Sequence, residues 1–246
     1  MTFNSIDQHQ RRHSLRARFA AVVLAMILGL GIVTLVRGPS RSAAVGSASV
    51  APTPRVTVEP DLAPTVPMGL PDPLVLPKPE RMAGTVPVGY PHTVTGAVAA
   101  ATYFTEALDL LDPVVAADQV RIMAVPADAD TLVEQAGSGA RDLRTQAGLP
   151  ADGPTVGSFI SYQVRGYQLG SVAQNRVLVW VLTVQSTSIS GGPVRSTNVV
   201  LGLVLAWTGT DWRVTKDDPG RLPPVAAPGS DQAHANGWRD LAESTN

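Results

Sequence analysis

Three hydrophobic patterns follow one another along the chain. Phe19 to Val36 is an 18-residue run without a charge, FAAVVLAMILGLGIVTLV. At ~1.5 Å rise per residue it forms a helix ~27 Å long, close to the ~30 Å hydrocarbon core of a bilayer. From Val94 the apolar positions Val94, Ala97, Val98, Ala101, Phe104, Leu108 and Leu111 recur at helical spacing. Asp112-Pro113 then predicts a second helix, with Asp as N-cap and Pro at the first helical position, ended by Pro126. A third helix is expected from Ala127 to Ala147, with Gly137-Ser138-Gly139 as a candidate interruption and Gly148 as its stop. Beyond Ser158 the period becomes two. Ile160, Tyr162 and Val164 share one face of a strand that bends near Gly166, and Arg176–Gln185 and Asn198–Trp207 follow as longer apolar strands. Thr208-Gly209-Thr210-Asp211 turns into the short strand Trp212–Thr215. The expected fold of residues 92–218 is therefore α+β, with three helices packed on a four-stranded antiparallel curved sheet.

The segment between the apolar run and the first helix has no such period. Twelve of the 21 prolines fall between Pro39 and Pro91, as in Ala51-Pro52-Thr53-Pro54 and Pro71-Asp72-Pro73. This spacing forbids helix and favours extended polyproline segments, so residues 37–91 read as a stalk. Residues 219–246 start with Pro219-Gly220 and Pro223-Pro224, then run polar, and read as a flexible tail.

Charge orients these parts. Residues 1–18 carry Arg11, Arg12, Arg16 and Arg18 against Asp7, while only Arg37 and Arg41 follow the apolar run closely. The positive-inside bias makes residues 1–18 a basic cytoplasmic tail and 19–36 a transmembrane helix, with the rest outside the cell membrane. A cleaved signal peptide would have a similar basic start, but the small residues that could serve a peptidase lie well past the run. Ala21, Ala25 and Gly29 form a small-residue stripe along the span that permits self-association. Residues 92–219 carry eight Arg/Lys against twelve Asp/Glu, which argues against direct binding of nucleic acid. The chain has no cysteine, so disulfides and thiolate metal sites are excluded.

The two middle strands are apolar on both faces. Val177, Val179 and Val181 oppose Leu178, Trp180 and Leu182, and Val199, Leu201, Leu203 and Leu205 oppose Val200, Gly202, Val204 and Ala206. A sheet with helices on one side only should show a polar second face. The second face is then covered either within the chain, by curvature, the third helix or the tail, or by a partner. Leu178, Val179, Trp180, Val181, Val200, Leu201 and Val204 are the candidate interaction residues, and strand parity alone leaves open which face is the core.

Three helices, a long curved meander and a closing Gly209-Thr210-Asp211-Trp212-Arg213-Val214 hairpin resemble the NTF2-like (cystatin-like) fold. The opening Val88-Gly89-Tyr90-Pro91-His92-Thr93, followed by Gly96-Ala97-Val98-Ala99-Ala100-Ala101, resembles membrane-anchored proteins of mobile elements in GC-rich Gram-positive bacteria. The whole layout is similar to bitopic assembly components of conjugative type IV secretion systems. That resemblance implies a non-catalytic scaffold that assembles with copies of itself or with other subunits of a membrane complex. Membrane proteins associated with lipid-import systems share the layout, which implies the alternative of a module binding a small apolar ligand.

No residue set argues for an enzyme. His92 opens a helix, Asp128 and Asp130 suit a helix start, and Asp217-Asp218 reads as a strand exit. Gly137-Ser138-Gly139 lacks the Lys-Ser/Thr of a phosphate loop. Tyr162 with Asp109 is an example of an acid–base pair that distant residues could form, but a buried core role for Tyr162 is the expected one. Neither metal nor cofactor is expected.

Overall fold

A computed structural model describes residues 69–242. The basic tail, the apolar run with Ala21, Ala25 and Gly29, and the stalk as far as residue 68 lie outside the described residues. Among those described, no helix is long and apolar enough to cross a membrane.

Three helices form where the periodicity places them: α1 (Val94–Ala107), α2 (Pro113–Met123) and α3 (Ala129–Gln146). Thr93 Oγ1 accepts the Gly96 N–H at 3.0 Å and starts α1. Ala97 to Ala101 are all fully buried there, because small side chains let this helix lie close to its neighbours. Asp112 Oδ1 accepts the N–H groups of Val114 and Val115 at the head of α2, as its sequence predicts. The third helix runs without interruption through Gly137-Ser138-Gly139. Gly137 is buried, and a Cβ there would meet the Pro113 carbonyl at an ordinary contact distance of 3.5 Å, so the packing of α2 on α3 does not itself demand glycine. Gly148, at φ +70°, ends the helix as expected.

The sheet is antiparallel throughout and has five strands. In chain order they are β3 (Phe159–Ala173), β4 (Arg176–Ser188), β5 (Arg195–Trp207), β6 (Trp212–Val214) and β7 (Arg239–Asp240), arranged β6-β5-β4-β3-β7. The four-strand meander is as the sequence predicts, and β7 is an addition from the segment read as tail. The expected bend near Gly166 is a bulge. Val164 pairs with Thr183 and Gly166 with Leu182, leaving Arg165 as the extra residue. The insertion shifts strand parity, so Tyr162, Val164, Tyr167 and Leu169 all face the same side as Val179 and Val181.

That side is the main core. Val177, Val179, Val181, Val199, Leu201, Leu203 and Leu205 pack there with α1, Leu143 of α3 and Trp212. Its floor extends further than the expected boundary at residue 92. A hairpin, β1 (Arg81–Ala83) and β2 (Val86–Val88), precedes α1, and Leu74, Val86, Val88 and Tyr90 are all buried in the same core. The stalk reading therefore fails for residues 70–91, whose prolines are spaced by apolar side chains that the core takes up.

The flexible-tail reading fails likewise for residues 219–242. Ser230 caps a short helix, α4 (Asp231–Ala235), through its Oγ on the Ala233 N–H, and β7 follows it to pair with Gly166 and Tyr167. Ala226, Ala233 and Trp238 are buried against Leu182 and Val200 on the second face of the sheet. Polar composition concealed three well-spaced apolar anchors, enough to order a segment that already has a sheet to lie on.

Candidate functional site

Two motifs of the sequence meet at one corner and explain each other structurally. The buried Asp211 carboxylate accepts the N–H groups of Gly89 (2.9 Å), Tyr90 (3.0 Å) and Trp212 (2.9 Å), and Arg213 lies 3.4 Å from it. Trp212 Nε1 donates to the Pro91 carbonyl at 3.0 Å. His92 stacks on Trp207 with ring centres 4.3 Å apart, and its Nε2 lies 2.9 Å from the Gln174 carbonyl. Burial, then the nearby Asp211 charge, raises the Tyr90 hydroxyl pKa well above its ordinary value. The corner joins β2, α1 and the β5–β6 turn, and His92 belongs to that joint.

Asp128, Asp217, Asp109 and Glu106 are also engaged in holding elements together. Asp128 takes the Lys216 ammonium at 2.7 Å and the Lys216 N–H at 3.0 Å, so it links α3 to the exit of β6 rather than capping its helix. Those hydrogen bonds hold the Asp128 carboxyl below, and the Lys216 ammonium above, the usual range. Asp217 is lowered by the Thr215 hydroxyl and by Arg176, with which it pairs. Asp109 accepts the N–H groups of Leu111 and Asp112 and shapes the α1–α2 turn. Tyr162 lies in the core beneath the helices, where burial pushes its hydroxyl up to about 12. Glu106 accepts the Val164 N–H at 2.9 Å. Burial raises its carboxyl, while that hydrogen bond and Arg165 oppose the rise; the side chain keeps contact with solvent, which limits the effect. Among the described residues no three His, Asp or Glu side chains gather as a metal site would need.

The outer face of the sheet is built differently. Trp180 stands opposite Gly202 on β5 and Gln168 on β3, and Leu178 stands opposite Val204. The indole lies across both neighbouring strands, in space left by two glycines. A Cβ at Gly170 would come within 2.7 Å of the ring, and one at Gly202 within 3.1 Å of the ring and 2.6 Å of Pro219. Leu182 and Val200 are sealed beneath the C-terminal segment, residues 219–242, which lies as a strap across this face, and Leu178 and Trp180 are partly buried beside it. Of the seven residues read as a candidate surface, Leu178, Trp180, Val200 and Val204 belong to this outer face. Val179, Val181 and Leu201 face the main core and form no surface. The reading missed Ala226, Ala233 and Trp238, of which only the tryptophan in a polar stretch gave any signal.

One protein family's profile matches residues 78–235, a stretch from the hairpin to the end of α4. It describes a domain of unknown function, DUF8175. The chain belongs to this family. The match begins ahead of β1 and so places the hairpin inside the DUF8175 domain, in agreement with its burial. No curated protein and no solved structure matches the chain.

Proposed function

We propose that this DUF8175 protein is a non-catalytic assembly subunit of an envelope-spanning conjugation or secretion apparatus. In this reading residues 19–36 anchor it in the cell membrane and the proline-rich segment sets its reach. The domain, an NTF2-like fold, works outside the cytoplasm. The observation that carries the proposal is the second apolar face of the sheet, where the partly buried Leu178 and Trp180 continue a face sealed at Leu182 and Val200. An apolar face that the chain's own segments cover only in part supports a protein interaction there. The shifted or buried carboxylates give no competing catalytic reading, because each one named above has a main-chain or ion-pair partner within the fold.

The test separates the two faces on adjacent residues. Val179 is fully buried in the core, so Val179→Asp introduces an unpaired buried charge and should abolish cooperative unfolding. Leu178→Asp should leave circular dichroism and melting unchanged while removing self-association or capture of other envelope subunits. Retention of every complex by folded Leu178→Asp protein would sink the proposal. A reporter active only outside the cytoplasm, fused after Asn246, should be active; an inactive one would refute the orientation.

A further inference from the structure

Resting on the membrane anchoring in the reading above, we propose that the end of the sheet formed by residues 155–160 and 188–196 touches an anionic lipid surface. Three large apolar side chains are held out at this end: Val156 is 85% exposed, Val194 60% and Phe159 43%. They come from separate stretches of sequence that the fold brings side by side. Phe159 pairs with Ser188, and Val194 directly precedes Arg195, the partner of Thr187. The Gly191 N–H donates to the Gly157 carbonyl at 2.7 Å and the Ser190 N–H to Ser158 Oγ at 2.8 Å, which ties the turn of Val156 to the β4–β5 turn. Gly157 takes φ +70°, and a Cβ on it would come within 2.9 Å of the Gly191 nitrogen, so the close approach of the two turns requires glycine. Ser188 Oγ adds a bond to the Gly192 carbonyl at 2.7 Å. The apolar side chains therefore stand on a fastened frame and keep their exposed surface instead of collapsing onto the domain.

Charge and area decide the occupant. No Asp or Glu occurs from Gly153 to Trp207, although residues 92–219 as a whole carry an acidic excess. The charged residue beside the apolar tip is the exposed Arg195, and Asp152, the nearest acid along the chain, lies 3.8 Å from Arg141. Behind the tip, Ser161, Ser186 and Ser196 form a row across three strands, with Ser186 Oγ 3.3 Å from Ser196 Oγ. This row separates the tip from the apolar face beneath the strap. Apolar side chains with a cation and hydroxyl groups behind them suit the boundary between acyl chains and anionic headgroups. As a protein interface the tip is too small, since three side chains fall far short of the ~800 Å² per partner that a stable one buries. For a chain anchored in the same membrane that size suffices, because tethering raises the effective concentration of a second, weak contact.

The chain has no cysteine, so a single replacement takes a fluorescent label without background. Ser190→Cys lies beside the tip and spares its three apolar side chains; Gln174→Cys, in the β3–β4 turn, marks the other end of the sheet, and both positions are exposed. Each labelled full chain is reconstituted into vesicles of equal parts phosphatidylglycerol and phosphatidylcholine that carry a doxyl-lipid quencher. Quenching at position 190 should exceed that at 174 severalfold, and Val156→Ser with Val194→Ser should remove it. Equal quenching at the two positions, none at 190, or quenching that survives the two serines would overturn the lipid contact while the anchor stands. In vesicles of phosphatidylcholine alone the quenching should fall severalfold, and quenching that ignores lipid charge would overturn the anionic assignment. A label at 190 that becomes shielded in detergent as protein concentration rises would give the tip to a second copy of the chain and overturn the inference. Failure of the unaltered chain to float with the vesicles would remove the anchoring reading, and this inference with it.

Discussion

The most constrained single residue is Arg144. Its side chain is almost wholly buried, and its guanidinium donates to the main-chain carbonyls of Pro150 (2.6 Å), Leu111 (3.1 Å) and Gly153. One side chain thus ties the end of α3 to the α1–α2 turn and to the loop entering β3. Arg144→Met keeps the apolar stem but leaves buried carbonyls without donors. A loss of roughly 2–4 kcal/mol is expected by urea unfolding, and a loss under about 1 kcal/mol would mean that the loop is held by other contacts. The Asp128–Lys216 pair makes a pH prediction. The Asp128 carboxyl is lowered in the folded state, so its contribution is complete above the unfolded value near ~3.9 and is lost as pH falls through the folded one. Lys216 is raised, so its contribution is complete below ~10.4 and is lost at still higher pH. Asp128→Asn should lower the melting temperature slightly and evenly between these limits, because Lys216 is largely exposed. The difference from the unaltered protein should vanish in acid; a gap that persists at pH 2 would assign it to geometry instead. Neither residue role was legible beforehand. An arginine inside a polar helix looks like any solvated arginine, and only the fold brings three carbonyls to it.

Elements were more legible than single side chains, for a physical reason. Helices α1 and α2 and the strands β3 to β6 each carry a period or a cap within themselves, so local pattern suffices. The two glycines of α3 suggested a break because their cost in a helix is local, whereas the burial that keeps this helix whole comes from elements elsewhere in the chain. The hairpin β1–β2 and the strap were missed for a related reason. Each is short, proline-rich or polar, and ordered only by a surface that other segments supply. The strap gives the element-scale prediction. Trp238→Ala removes its largest anchor and its bond to Pro224, so trypsin should cut after Arg221 and Arg239 much faster. The main melting transition should move little, because the core on the other face keeps its contacts. Equal cleavage rates in the two proteins would show that the strap is held chiefly by its β7 ladder.

For the whole molecule, the two faces of one sheet serve two enclosures: the main core under the helices and a smaller one under the strap. Doubly apolar strands announced this arrangement in the sequence, but parity cannot say which face takes the helices, and the tail's composition hid the other cover. The true start of the domain sets the prediction at this scale. A fragment beginning at Gly69 should melt like the full chain, since it contains every core residue among those described. One beginning at His92 lacks Leu74, Val86, Val88 and Tyr90 and should not unfold cooperatively. A cooperative transition in the shorter fragment would return the hairpin to the stalk. The place where the chain enters this domain also has a mechanical side. The Leu74 N–H donates to the Asp240 carbonyl at 3.0 Å, the Ala242 N–H donates to the Leu74 carbonyl at 2.9 Å, and Arg239 reaches the Leu70 carbonyl. If the proposed anchoring holds, tension entering at residue 69 would load residues 239–242 before it reached β1. The two hydrogen bonds at Leu74 act as a fuse, and a pull that opens them would loosen the strap while the helices and the long strands still hold.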